Sequence, residues 1–209
     1  MPRKKRPLDR DGGVLRDASL IIIASEDKHA VKQYFQRFRS RRVRFVILPT
    51  EDRRSSPNAV LARLDEYKKE YDIGDGDEFW LCIDTDHWVK PNHIANLTGV
   101  LRECRQKAYS IAISNPCFEL WLLLHFQDAA DLPAAVSCEV VTKRLKACCG
   151  GYRKESCGRL PLSNSSVEAA IQRATQMDAI ASEDILERPG THVYRIVEAL
   201  KQRDAIDLS

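Results

Sequence analysis

Phe79-Trp80-Leu81-Cys82-Ile83-Asp84-Thr85-Asp86 is the stretch on which the reading of the fold turns. A continuous apolar run, with Gly74-Asp75-Gly76-Asp77 before it and Lys90-Pro91-Asn92 after it, has the pattern of a strand covered on both faces in a parallel sheet. That places Asp84 and Asp86 at the strand's carboxyl end, where ligand crevices form in open α/β sheets. Residues two apart in an extended chain face the same way, with Cα atoms roughly 6–7 Å apart at about 3.3 Å of rise per residue. Two such carboxylates can share a hard cation through their oxygens. The spacing equally suits a plainer arrangement, with one Asp capping the next helix and the other solvated, because Asp is common at helix starts.

Working outward, the strand is one of a series. Ser19–Ala24 is β-branched and apolar throughout, as a buried parallel strand should be, and Glu26 follows at its end. From Lys28 the spacing turns helical, with Ala30, Val31, Tyr34, Phe35 and Phe38 on one face. Val43–Leu48 is a second strand, and Ser56-Pro57 opens a helix by capping and by proline at its first position. After the Asp84 strand come a helix from about Pro91 and a fourth strand at Tyr109–Ile113. The β-α-β-α-β-α-β order predicts a mostly parallel sheet with right-handed crossovers. Asn115-Pro116 is read as the cap and start of the next helix, whose Phe118–Phe126 stretch leaves almost no polar face and is expected to be buried all round. Glu119 in its first turn either caps backbone N–H groups or faces a site. Beyond residue 130 the pattern is helical, interrupted by the polar loop Gly150–Gly158. Three segments are expected: a basic flexible arm at 1–17, an α/β core at 18–130, and a helical C-terminal extension at 131–209 packed on it.

At 209 residues and 44% hydrophobic content the chain is sized for one α/β domain with helical additions. No run approaches the roughly 18 apolar residues of a membrane span. The start, Met1–Arg6, is not followed by an apolar signal-peptide core, so the expected compartment is the cytoplasm. Seven cysteines, several among apolar neighbours as at Cys82, Cys104 and Cys117, point to reduced core thiols rather than a disulfide framework. Cys138, Cys148, Cys149 and Cys157 lack the CxxC pairs that frame structural zinc.

The net charge of +3 conceals an asymmetry: residues 1–54 carry 15 Lys and Arg against 7 Asp and Glu. Candidate phosphate contacts are the arm Arg3-Lys4-Lys5-Arg6, the cluster from Arg37 to Arg44, and Arg153-Lys154 in the polar loop. The bland alternative is a solvated tail and a solvated helix end. His87 beside the aspartates is a turn residue or an auxiliary proton carrier. No GxxxxGK[ST] loop is present, so any ATP dependence has to come from a partner.

If the strands ending in Glu26 and Asp84 are neighbours, about 4.8 Å apart, the carboxylates of Glu26, Asp84 and Asp86 converge and suit one or two Mg²⁺ or Mn²⁺ ions. Such a centre serves phosphodiester hydrolysis. A strand glutamate followed by a strand DxD resembles the Toprim domain of topoisomerases, primases and related nucleases. Ser114-Asn115-Pro116-Cys117-Phe118-Glu119-Leu120-Trp121-Leu122-Leu123-Leu124-His125-Phe126 resembles the signature of the RloB-like family of bacterial phage-defence proteins. Tyr34-Phe35 after Glu26, and Thr191–Val197, fit the same family.

The resemblance implies a Toprim-like nuclease for DNA or RNA, transfer RNA included, encoded beside an ATPase that triggers it. Glu26, Asp84 and Asp86 would then be the metal ligands, Glu119 a further catalytic carboxylate, and His87 and Asn115 auxiliaries. Relatives usually place Gly after the first glutamate and a Thr-Glu pair soon after, where this chain has Asp27 and Ala30-Val31. That departure motivates the alternative, a non-catalytic module that docks an ATPase or RNA.

Overall fold

The computed structural model describes residues 3–7, 9–10, 13–14, 18–50, 55–86, 91–178, 186 and 188–208 of the chain. In order, the elements are β1 (Asp9–Arg10), β2 (Gly13–Val14), β3 (Ser19–Ser25), α1 (Ala30–Phe35), β4 (Val43–Leu48), α2 (Pro57–Glu70), β5 (Glu78–Asp84), α3 (Pro91–Gln106), β6 (Ser110–Asn115), α4 (Glu119–Leu124), α5 (Cys138–Cys149), a 3-10 helix (Lys154–Arg159), α6 (Asn164–Asp178), β7 (Gly190–Thr191) and α7 (Val193–Lys201). β1 and β2 form a short antiparallel pair. The main sheet has five strands in the order β4-β3-β5-β6-β7. The four strands expected from the sequence pair in parallel, and β7 adds an antiparallel edge to β6. The protein is thus α/β, with helices on both faces.

Alternation explains why the central strands read as unbroken apolar runs. In β3, Ile21 and Ile23 enter a core with Phe118 and Trp121, whereas Leu20, Ile22 and Ala24 enter the opposite one with Leu64 and Leu97. In β5, Trp80 and Cys82 face the first core while Phe79, Leu81 and Ile83 face the second. Both faces are covered, so neither side of the strand can be polar. α1 and the C-terminal helices close the first face, and α2 with α3 closes the second. α2 starts as its sequence predicts: the Ser56 hydroxyl accepts the Ala59 N–H at 3.3 Å, with Pro57 in the first position. No helix among the described residues is long and apolar enough to cross a membrane.

The connections after the sheet depart from the sequence reading. Asn115 ends β6 rather than opening a helix, and α4 begins at Glu119, after a turn through the cis Asn115-Pro116 bond. All six residues of α4 are buried, as its composition requires. Much of the expected polar loop at 150–158 is a 3-10 helix whose Cys157 is fully buried, packed against α1: Gln33 Nε2 donates to the Glu155 carbonyl at 2.8 Å and Gln33 Oε1 accepts the Gly158 N–H at 2.9 Å. Where the sequence suggests a free basic arm, its described part is pinned. Lys4 exchanges backbone hydrogen bonds with Glu70 and Asp72 at the end of α2, and Arg6 pairs with Asp77, whose side chain is wholly buried.

Candidate metal centre

Register decides the site. β3 and β5 lie side by side with Ala24 opposite Leu81 and Ser25 opposite Cys82, so both chains leave the sheet together, at Glu26 and at Asp84. Glu26 Oε1 accepts the backbone N–H of Asp84, which ties the two strand ends together. On the other side Asp84 stands opposite Ser114 of β6. The turn carrying Asp86 is held against the β6–α4 turn: Thr85 N–H donates to the Ser114 carbonyl at 2.9 Å, and Asp86 N–H to the Pro116 carbonyl at 3.1 Å. That second turn leads within three residues to Glu119, which is 1% exposed.

The charges of these carboxylates act on one another. Burial raises the Asp84 carboxyl well above the usual carboxylate range, and the negative charges of Glu26, Glu119 and Asp86 raise it further, while Lys154 opposes them. Burial likewise raises the Cys82 thiol on β5, with Asp84, Glu26 and Asp27 adding to it.

The opposing cation comes from the 3-10 helix. Lys154 Nζ lies 3.1 Å from Asp27 Oδ2 and 3.4 Å from Glu119 Oε1. Burial disfavours its charge, but Glu119, Asp27 and Asp84 outweigh that and hold its pKa above the ordinary lysine value. The Tyr152 hydroxyl donates to Glu119 Oε1 at 3.1 Å. Burial and the Glu119 charge keep that phenol protonated, so it can serve only as a donor here.

Asp27 resolves the question its position raised. Among the described residues only Ala108 combines a side chain with positive φ, so the turn after Glu26 does not take the conformation that Gly favours. Asp27 instead accepts the His29 N–H at 2.7 Å, with Ala30 N–H on the same oxygen, and sets the approach to α1. Its other oxygen takes Lys154.

A second donor set adjoins the first. Cys117 and Cys138 are joined by a disulfide, which corrects the expectation of reduced thiols throughout. One ligand atom each from Cys117, Glu119 and Cys138 lies within 4.8 Å of the others, but while the two sulfurs are bonded to each other neither is a thiolate ligand. The sulfur of Cys138 approaches Glu119 Oε2 at 3.6 Å, a contact rather than a hydrogen bond, because a disulfide sulfur carries no proton.

The structure therefore brings together Glu26, Asp84, Asp86 and Glu119 from the sequence-derived set. It also brings in Lys154, not as a freely reaching loop cation but as a partner of the carboxylates. Asn115 turns elsewhere, its Nδ2 donating to the Leu186 carbonyl at 2.6 Å. Arg153 is exposed at the start of the 3-10 helix. Arg3, Lys4, Lys5 and Arg6 belong to the opposite edge, near the start of β3 and the turn before β5: Arg6 donates to the Ala18 carbonyl, and Lys4 pairs with Glu70. His87 lies outside the described residues. Sequence reasoning missed Tyr152 and the Asp27–Lys154 pair, which carry no spacing signal and meet only in three dimensions.

The carboxylate oxygens suit a hard divalent cation by donor type. Burial first and mutual repulsion second raise the Asp84 carboxyl, and a bound cation would offset both by favouring the carboxylate. Comparison with known proteins gives one match: the model for the RloB-like protein family fits residues 21–200, a span that includes the carboxylates and Lys154 and leaves out the pinned arm. No curated protein and no solved structure matches.

Proposed function

The chain belongs to the RloB-like family, and on that footing we propose that it is a Mg²⁺- or Mn²⁺-dependent, Toprim-like nuclease. The single observation that carries this reading is the buried Asp84 carboxyl, crowded by Glu26, Glu119 and Asp86 at the carboxyl ends of adjacent parallel strands. In the proposal Glu26, Asp84 and Asp86 hold the ion and Glu119 is the further carboxylate. When bound, the ion supplies a lowered pKa for an attacking water and stabilisation of the leaving oxygen.

The chain's own groups do the rest. Glu26 fixes the Asp84 backbone through its hydrogen bond. The Pro116 carbonyl fixes Asp86. Tyr152 and Lys154 hold the Glu119 carboxylate in place. The substrate is DNA or RNA, transfer RNA included, with exposed cations such as Arg153 gripping its phosphates. A separately encoded ATPase controls the activity in an anti-phage setting in the cytoplasm; this part rests on family resemblance.

The test is cleavage of labelled DNA and RNA with and without Mn²⁺, comparing the unaltered chain with the Asp84→Ala, Asp86→Ala double variant. Metal-dependent cleavage lost in the variant supports the reading, and cleavage that survives sinks it. A non-catalytic docking module is the second reading. In its favour stands Lys154, a cation of the chain's own that already pairs with Asp27 and Glu119. It requires that neither protein cuts while a complex with the ATPase or RNA still forms.

A further inference from the structure

Beside the all-oxygen cluster lies a donor set of different chemistry. Cys117, in the turn before α4, and Cys138, the first residue of α5, have Cα atoms 5.7 Å apart. Ser137 caps α5 by accepting the Val140 N–H at 3.4 Å, which fixes where Cys138 begins the helix. Glu119 presents Oε2 to this pair and keeps Oε1 for Tyr152 and Lys154. Two sulfurs and one carboxylate oxygen are ligands for a thiophilic ion, not for Mg²⁺. While the sulfurs are bonded to each other, neither is a thiolate.

We propose that Cys117, Cys138 and Glu119 form a second cation site, for Zn²⁺, that exists only when the disulfide is reduced. A dithiol reductant gives two electrons and two protons to the disulfide, leaving two cysteine thiols and becoming a cyclic disulfide itself. Zn²⁺ then binds both sulfurs as thiolates and Glu119 through Oε2, and the two thiol protons pass to solvent. Water fills the fourth position of a tetrahedral ion. Two Zn–S bonds of about 2.3 Å at the tetrahedral angle place the sulfurs about 3.8 Å apart, which the Cα separation accommodates by side-chain rotation alone.

The site is wired to the carboxylates without depending on any reading of their chemistry. Pro116, the residue before Cys117, holds the N–H groups of Thr85 and Asp86 on its carbonyl. Glu119 spans both donor sets. Inside a cell the thiol pool favours the reduced pair, the state in which zinc is accepted.

The experiment uses the full chain with Cys148→Ser and Cys149→Ser, since those thiols are exposed or partly exposed and would take zinc on their own. The protein is reduced with dithiothreitol, freed of it without air, and titrated with Zn²⁺, with an oxidised sample in parallel. Calorimetry reads stoichiometry and X-ray absorption reads the ligand shell. The proposal expects one zinc per chain with two sulfurs at about 2.3 Å in the reduced protein. It expects no sulfur shell in the oxidised protein and loss of the two-sulfur shell after Cys138→Ser. Zinc held only by carboxylates shows oxygen ligands alone and counts against the proposal, as does a two-sulfur shell that survives Cys138→Ser. Because no readout is an activity, the result stands apart from whether the chain cuts nucleic acid.

Discussion

His125 shows how far one buried group can be followed. Its Nδ1 faces the Trp121 carbonyl at 2.9 Å, which can only accept, so Nδ1 carries the proton and Nε2 accepts from the Tyr34 hydroxyl at 3.1 Å. The neutral ring satisfies both partners, and burial lowers its pKa from 6.5 to about 4. The unfolded chain takes up this proton at a higher pH than the folded chain does, so stability is lost as pH falls from about 6.5 towards 4, in total on the order of 3 kcal/mol. Urea denaturation across that range should show the decline, and His125→Gln should flatten it. Asp84 has the opposite sign. Its raised carboxyl pKa means the folded state holds the proton longer, so stability falls as pH rises from the unfolded value of about 4. At neutral pH without metal, Asp84→Asn should therefore raise stability, read as a higher urea midpoint. At this scale the carboxylates were legible, because strand ends announce themselves by an apolar run stopping at an acid. Lys154 was legible only as a charge: a lysine in a polar stretch looks the same whether it meets solvent or the buried Glu119.

Among the elements, the turn before β5 holds the amino-terminal segment and the sheet together. Asp77, with no exposed side-chain surface, accepts from the backbone N–H groups of Leu20 at 2.7 Å and Gly74 at 2.8 Å, and from Arg6 Nε at 3.1 Å. Removing it leaves a guanidinium without its counter-charge and two N–H groups without acceptors. Asp77→Ala should cost about 3–5 kcal/mol in denaturant unfolding, the range for breaking a buried pair. Arg6→Gln tests the arm from the other side: if Arg6 serves structure alone, stability falls while the salt dependence of nucleic-acid binding is unchanged. The sequence showed β3, β4, β5, β6 and the buried character of α4 because each is a long apolar pattern. It did not show β7, a Gly-Thr pair too short for any period, whose edge pairing with β6 is fixed by tertiary contacts, including Ser114 Oγ and Thr191 Oγ1 at 2.8 Å. Nor did it show the 3-10 helix, whose polar residues hide the burial of Tyr152 and Cys157.

For the molecule as a whole, the disulfide closes a loop 21 residues long between the site turn and α5, a link that cysteine spacing did not announce. Constraining the unfolded chain over that separation stabilises by about 3 kcal/mol in the chain-entropy model, so reduction without added metal should lower the urea stability by about that amount. The carboxylates, the Lys154 contacts and the disulfide all meet at the carboxyl edge of the sheet, while the pinned arm lies at the other. In the proposed function this edge holds a divalent cation through Glu26, Asp84 and Asp86. Calorimetric titration of the oxidised 209-residue chain with Mn²⁺, beside the Asp84→Ala variant, is the test. The account predicts saturable binding to the unaltered chain and its loss in the folded variant; no binding at all, or equal binding by both proteins, would contradict it.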